Sequence, residues 1–251
     1  MKEQLHTIPV NEAFDSGDEC PFCYLQRQAE HRTIRYVVGP GASYMEPDVR
    51  LATDKAGFCR EHMKKLYDYG NALGSALILQ THYARLLEQF QKDAAAFAPP
   101  GKKSLLGKRK GGEHSDLPDR LRQQSCSCYI CDKISYNMER YYYTFCMLTK
   151  EPEFRAKVEN GKGFCLRHFG ELLSSAEERL PNGQYEWFYD TVFPLMEQHL
   201  VRVKEDLDWL IAKYDYRNVS APWKNSQDAL KRAMQKVEGI YPADLPCKQE
   251  K

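Results

Sequence analysis

The sequence predicts an all-α protein: two related helical halves, each pinned by a Cys3His metal site, joined by a flexible basic loop. Three observations predict it. Apolar residues recur at helical spacing over long stretches. No segment alternates apolar and polar residues between hairpin signals. One cysteine and histidine pattern occurs twice, in the same order. The first copy reads Cys20-Pro21-Phe22-Cys23, then Gly57-Phe58-Cys59-Arg60-Glu61-His62. The second reads Cys128-Tyr129-Ile130-Cys131, then Gly163-Phe164-Cys165-Leu166-Arg167-His168.

Taken in chain order, Leu25 to Val38 follows the first CxxC without a helix breaker. Pro47 and Pro152 each follow an acid, which fits proline in the first turn of a short helix. Those helices are expected to stop at Gly57 and Gly163, where a left-handed residue is easily adopted. A new helix is expected to start near the cysteine of each CxxH. Leu73, Leu77, Ile78, Tyr83, Leu86, Leu87 and Phe90 mark a long helix; Phe193, Met196, Leu200, Val203, Leu207, Leu210 and Ile211 mark another. A last helical pattern lies around Ala229 to Val237. The repeat also matches Glu46-Pro47-Asp48-Val49-Arg50 with Glu151-Pro152-Glu153-Phe154-Arg155, and Leu66 with Leu172. Four segments follow: an N-terminal metal-binding half over 1–98, a basic linker over 99–114, a C-terminal metal-binding half over 115–215, and a helical extension and tail over 216–251.

The 251 residues carry a net charge of +1, so no global field attracts nucleic acid or an anionic membrane. Leu73 to Leu79 is too short to span a bilayer, and Met1 to Gln4 does not begin an export signal. Nine cysteines grouped as CxxC and CxxH then point to a reducing cytoplasm and metal ligation.

Three thiolates and one imidazole suit a tetrahedral zinc ion. Within each half, CxxC at a helix start and CxxH on a second helix are expected to meet on one ion. The predicted sets are Cys20, Cys23, Cys59 and His62, and Cys128, Cys131, Cys165 and His168, holding two zinc ions or, alternatively, an iron–sulfur cluster. Arg60, Lys64 and Arg167 are candidates to balance the charge of each site, and Glu30 and Glu139 to accept the second ring N–H of the histidines. Cys126 is a competing ligand, though the repeat favours Cys128; Cys146 is a core thiol, Cys247 an exposed tail thiol and His82 a packed or capping histidine.

No glycine-rich phosphate loop, HExxH or GxSxG motif is present. The expected function is therefore non-enzymatic: a zinc-stabilised helical protein that binds a partner. The partner is a protein, or nucleic acid through Lys102, Lys103, Lys108, Arg109 and Lys110. Alternatives are a thiol-based redox or metal sensor, and a zinc-dependent hydrolase-type enzyme with one site that opens by loss of His168.

The chain also resembles an uncharacterised bacterial group, family 6062 of the domains of unknown function. The resemblance runs through Ile8-Pro9-Val10-Asn11-Glu12-Ala13-Phe14, both CxxC motifs, Asp48-Val49-Arg50, both GFCxxH motifs and Leu73 to His82. It closes on Lys213-Tyr214-Asp215-Tyr216-Arg217 and Lys231-Arg232-Ala233. It implies a cytoplasmic protein with cysteine-rich motifs and no assigned activity.

Overall fold

A computed structural model describes residues 6–97, 117–240, 242, 247 and 248. Among them are α-helices and two short 3-10 turns, and no strand. In order the helices are α1 (Thr7–Asp15), α2 (Pro21–Val38), α3 (Pro47–Ala56), α4 (Arg60–Tyr69), α5 (Ala72–Ala96) and α6 (Leu117–Cys126). After them come α7 (Tyr129–Leu148), α8 (Pro152–Glu159), α9 (Leu166–Arg179), α10 (Tyr185–Ala212) and α11 (Ala229–Glu238). The repeat is visible as an order of elements: α2 to α5 are followed, after α6, by α7 to α10 in the same roles. The basic linker, with Lys102, Lys103, Lys108, Arg109 and Lys110, lies outside the described residues.

Pro47 and Pro152 occupy the first turns of α3 and α8, as their fixed φ favours. α3 ends at Gly57, whose φ of 63° only glycine adopts without strain. α8 departs from the expected stop at Gly163. It ends at Glu159: Asn160 leaves helical ψ (φ −89°, ψ 0°), the next backbone N–H, of Gly161, donates instead to the Val158 carbonyl at 3.1 Å, and the Asn160 side-chain amide caps the Ala156 carbonyl at 2.7 Å. α4 and α9 begin directly after Cys59 and Cys165, as the CxxH pattern predicts.

The chain forms two compact units. One comprises 1–29 with 134–245, the other 30–133 with 246–251. Each draws on both copies of the repeat. In the first, Phe14, Phe22, Phe145, Phe154, Phe164 and Phe188 form a core of aromatic rings with centroids 5.0–6.3 Å apart. Offset and edge-to-face pairs in this range add about 0.5–1.5 kcal/mol each beyond area burial. In the second, Ile34, Val37, Val38, Val49, Leu66, Tyr69 and Ile78 are buried.

The apolar stripe on α5 is less buried than its pattern predicts. Ile78 is buried, but Leu73, Tyr83, Leu87 and Phe90 are exposed. α5 has 25 residues, about 37 Å of helix, whereas α3 and α4, against which it packs, have 10 each. Its C-terminal turns therefore run past α3 and α4, where Tyr83, Leu87 and Phe90 line a groove with Leu121 and Gln124 of α6. Among the described residues no helix is long and apolar enough to cross a membrane.

Candidate metal centres

Each unit contains one cluster of four metal-ligating side chains, with all ligand atoms of a cluster within 4.8 Å of one another. The clusters are Cys20, Cys23, Cys165 and His168 in the first unit, and Cys59, His62, Cys128 and Cys131 in the second. All eight side chains named from the sequence are used, but the partners differ from the expectation. The CxxC of each copy meets the CxxH of the other. The division between the two units falls inside α2, after Ala29, and inside α7, after Lys133, so each of these helices starts at a CxxC in one unit and ends in the other. Each CxxH docks beside the second half of the helix its own CxxC started. Asn71, just after α4, donates to the Val38 carbonyl at the end of α2. Glu171 on α9 accepts from Tyr142 in the second half of α7.

In the Cys20 cluster, the Sγ atoms of Cys20, Cys23 and Cys165 lie 3.5, 3.4 and 3.3 Å from His168 Nδ1, and the Cys23 and Cys165 sulfurs are 3.7 Å apart. In the Cys59 cluster, the sulfurs of Cys59, Cys128 and Cys131 lie 3.2, 3.3 and 3.3 Å from His62 Nδ1, and those of Cys59 and Cys131 are 3.9 Å apart. A tetrahedral ion with bonds of about 2.3 Å to sulfur and 2.0–2.1 Å to nitrogen sets its ligand atoms about 3.5–3.8 Å apart. The observed edges match that size. They are far beyond the roughly 2.05 Å of a disulfide.

Both histidines present Nδ1 to the sulfurs and engage Nε2 elsewhere. His168 Nε2 lies 2.8 Å from Gln26 Oε1, and His62 Nε2 lies 2.9 Å from Glu30 Oε1. An oxygen acceptor at Nε2 fixes the proton there and leaves the Nδ1 lone pair for an ion. Glu30 thus takes the role expected of it. Glu139 does not: it pairs with Arg179 at 2.9 Å, and Gln26 serves His168 instead. The sequence offered little to find Gln26, since a glutamine has no charge to flag it.

The expected counter-charges also differ. Lys64 pairs with Asp68 at 2.6 Å, whereas Arg167 pairs with Glu171 at 3.1 Å and also feels the charge of Cys165, as expected of it. Beside the Cys59 cluster stands Lys65 instead, 2.7 Å from Glu30 and 2.8 Å from Glu61. Beside the Cys20 cluster stands Lys236, buried, whose ammonium donates to the carbonyls of Glu19 (2.7 Å), Phe164 and Lys162. Burial lowers its pKa against the attraction of Glu19 and Cys20. α11, which supplies Lys236, ends at Gly239 directly over the cluster. A methyl group there would stand 3.3 Å from the Cys165 sulfur and 3.4 Å from that of Cys23. Neither Lys236 nor Gly239 carries a sequence signal of this role.

The thiols within each cluster are driven apart in acidity. Hydrogen bonds from the Cys20 and Cys23 sulfurs pull Cys165 far below the usual thiol value, the same bonds raise Cys23, and burial pushes Cys20 up to about 12. Cys128 falls to about 6 because His62 outweighs the burial that would raise it. Burial and the charge of Cys128 raise Cys131. Three sulfurs this close cannot all ionise unaided. A dication makes all three thiolates at once, so the donor chemistry fits a bound metal. The N-termini of α4 and α9 at Cys59 and Cys165 add positive dipole ends.

The remaining candidates fall outside the clusters. Cys126 is exposed at the end of α6 and belongs to neither cluster; Cys146 is buried in the core. Cys247 is partly buried, its thiol 3.9 Å from the His31 carbonyl. His82 donates through Nδ1 to the Asp54 carbonyl at 3.0 Å near the end of α3 and packs its ring on Gly57, so it is a packed, capping histidine.

Comparison with known proteins places this arrangement. Residues 1–244 match the model of the family of unknown function DUF6062. The chain belongs to that family. It is also similar to a curated protein of Caldicellulosiruptor sp. (strain Rt8B.4), described as an uncharacterized 23.9 kDa protein in the xynA 3' region. That likeness is 22% identity over 203 residues, 80% of this chain and 85% of the relative. No solved structure matches the chain significantly. Both CxxC and both CxxH motifs of this chain thus fall in clusters that could hold a metal ion.

Proposed function

We propose that this is a non-enzymatic, zinc-stabilised helical protein that works by binding a partner protein. Each cluster would hold one zinc ion, Cys20, Cys23, Cys165 and His168 in one and Cys59, His62, Cys128 and Cys131 in the other. The observation that carries this reading is completeness. Each cluster supplies four donors at tetrahedral spacing, and each histidine already has its second nitrogen bound. Zinc with four protein ligands is structural, while catalytic zinc keeps a position for water. His168 is 1% exposed and tied to Gln26, which weighs against its leaving to open a hydrolytic site.

A protein partner is favoured over nucleic acid by the charge balance, 36 basic against 35 acidic residues, and by the exposed apolar side chains of α5. Reduced, metal-bound cysteines fit a reducing compartment such as the cytoplasm.

The test is elemental analysis of the full chain purified without chelator, together with its absorption spectrum. Two zinc per chain and no visible band are expected. Iron with a brown colour would replace zinc by a cluster, and a metal-free, fully folded protein would end the proposal.

A further inference from the structure

Two clusters of like composition differ in access to their sulfurs. Cys20, Cys23 and Cys165 are 0–2% exposed, and the Gly239 backbone lies against two of them. In the Cys59 cluster Cys131 is exposed and Cys59 half-exposed, while Cys128 and His62 stay buried. The two accessible sulfurs are also the pair that lie 3.9 Å apart. Proximity alone does not single them out, since Cys23 and Cys165 are closer still at 3.7 Å. Access does. A small polar oxidant can reach Cys131 from solvent, and the sulfenic acid formed there would face a second thiol within one short movement.

We propose that Cys131 and Cys59 are an oxidative modification site: a hydroperoxide attacked by Cys131 leads to a Cys59–Cys131 disulfide that dismantles the Cys59 cluster. This rests on the two-ion reading above and extends it. The chemistry balances. The Cys131 thiolate attacks one peroxide oxygen; an S–O bond forms, the O–O bond breaks, and hydroxide leaves to be protonated by water. The Cys59 thiolate then attacks the Cys131 sulfur; an S–S bond forms, the S–O bond breaks, and a second hydroxide leaves. Two sulfurs lose two electrons in total, and the peroxide gains them. The sulfurs must close from 3.9 Å to about 2.05 Å. Cys128 and His62 remain as the only donors of the cluster, too few for a closed tetrahedral site. Glu30, still hydrogen-bonded to His62, then holds a histidine with no ion on its other nitrogen. Cys126 is exposed nearby in sequence, but it is not among the clustered sulfurs, so Cys59 is assigned as the resolving thiol.

The experiment uses the full chain, with its metal counted beforehand. It is treated with a few equivalents of hydrogen peroxide beside a chromogenic chelator, alkylated under denaturing conditions, and mapped by peptide mass spectrometry. The expected result is a Cys59–Cys131 disulfide, release of one ion of the two, and reversal by reductant with added metal. Cys20, Cys23 and Cys165 should react at least about tenfold more slowly, as buried thiols do. Cys126→Ala should give the same disulfide at the same rate. A Cys126–Cys131 disulfide, earlier oxidation of the Cys20 cluster, or no disulfide would overturn the assignment. Too few ions before peroxide would defeat the two-ion reading, while the disulfide map would still decide this one.

Discussion

The Cys20 cluster lies inside an aromatic core, whereas the Cys59 cluster lies at a helical surface, although both are assembled from one CxxC and one CxxH. Phe22, between Cys20 and Cys23, has its ring 4.4 Å from Tyr142 and 6.2 Å from His168, and Phe164 beside Cys165 is buried. In the Cys59 cluster Phe58 is half-buried and Cys131 exposed. The acceptors differ as well, an amide for His168 and a carboxylate for His62. Ligand type and spacing therefore set what a site can bind, and its packing sets what that binding does. An ion in the Cys20 cluster would close a core; one in the Cys59 cluster would clasp helices that solvent can still reach.

Removing one histidine from each cluster breaks or upholds this contrast most directly. His168→Ala should abolish the cooperative thermal melt of the first unit, because structural zinc contributes on the order of 10–16 kcal/mol of apparent folding free energy and the aromatic core is built on the site. His62→Ala should release one ion and leave that melt present. Differential scanning calorimetry with metal counting reads both. Equal losses in the two variants would show that burial does not separate the clusters.

The acceptors give the next effect. Gln26→Leu and Glu30→Leu should each lower affinity about 10–100-fold, and only at the cluster whose histidine they serve. Competition with a chelator of known affinity measures both. Loss at the other cluster, or at both, would contradict the pairing of acceptor with site.

How far the sequence reaches is clearest in these residues. The donors were legible because CxxC and CxxH are local patterns, and their repetition made them specific. The all-helical fold was legible because the apolar spacing is long and uninterrupted. The exchange of partners was not, since spacing says that two pairs must meet and not which. It follows from where α2 and α7 pass from one unit into the other, and helix ends such as that of α8 at Asn160 are hard to place from sequence. Gln26, Lys236 and Gly239 reach the Cys20 cluster only through tertiary contact, so nothing near the motifs announces them.

Gly239 sharpens the comparison on a smaller scale. Its φ of 77° strains any other residue, and a Cβ there would press on the Cys165 sulfur at 3.3 Å. Gly239→Ala should destabilise the first unit by about 1–3 kcal/mol, the cost of a non-glycine residue held in a left-handed conformation. Gly70, with φ 97° and open space beyond it, offers a control: Gly70→Ala meets the same backbone strain without a crowded sulfur. If the two variants lower Tm alike and neither loses metal, α11 is not a cover for the Cys20 cluster.

The smallest effect is a titration of the Cys59 cluster without its ion. There, Cys128 falls from 9.0 to about 6, with burial opposed and outweighed by His62, while His62 rises from 6.5 to about 10, with burial outweighed by Cys128 and Glu30. The signs follow from linkage. The lowered thiol contributes stability that is full above 9.0 and is lost as pH falls through about 6. The raised imidazole contributes stability that is full below 6.5 and is lost as pH rises through about 10. These are two descriptions of one thiolate–imidazolium pair, so they are not summed, and the pair persists between about 6 and 10. With the ion removed from the Cys59 cluster alone, ultraviolet thiolate absorbance should therefore drop with a midpoint near 6, and Cys128→Ser should remove that step. With metal bound, both clusters should stay ionised until acid displaces the ion. A step near 6 that survives Cys128→Ser would place the acidic thiol elsewhere and remove the electrostatic difference between the two clusters.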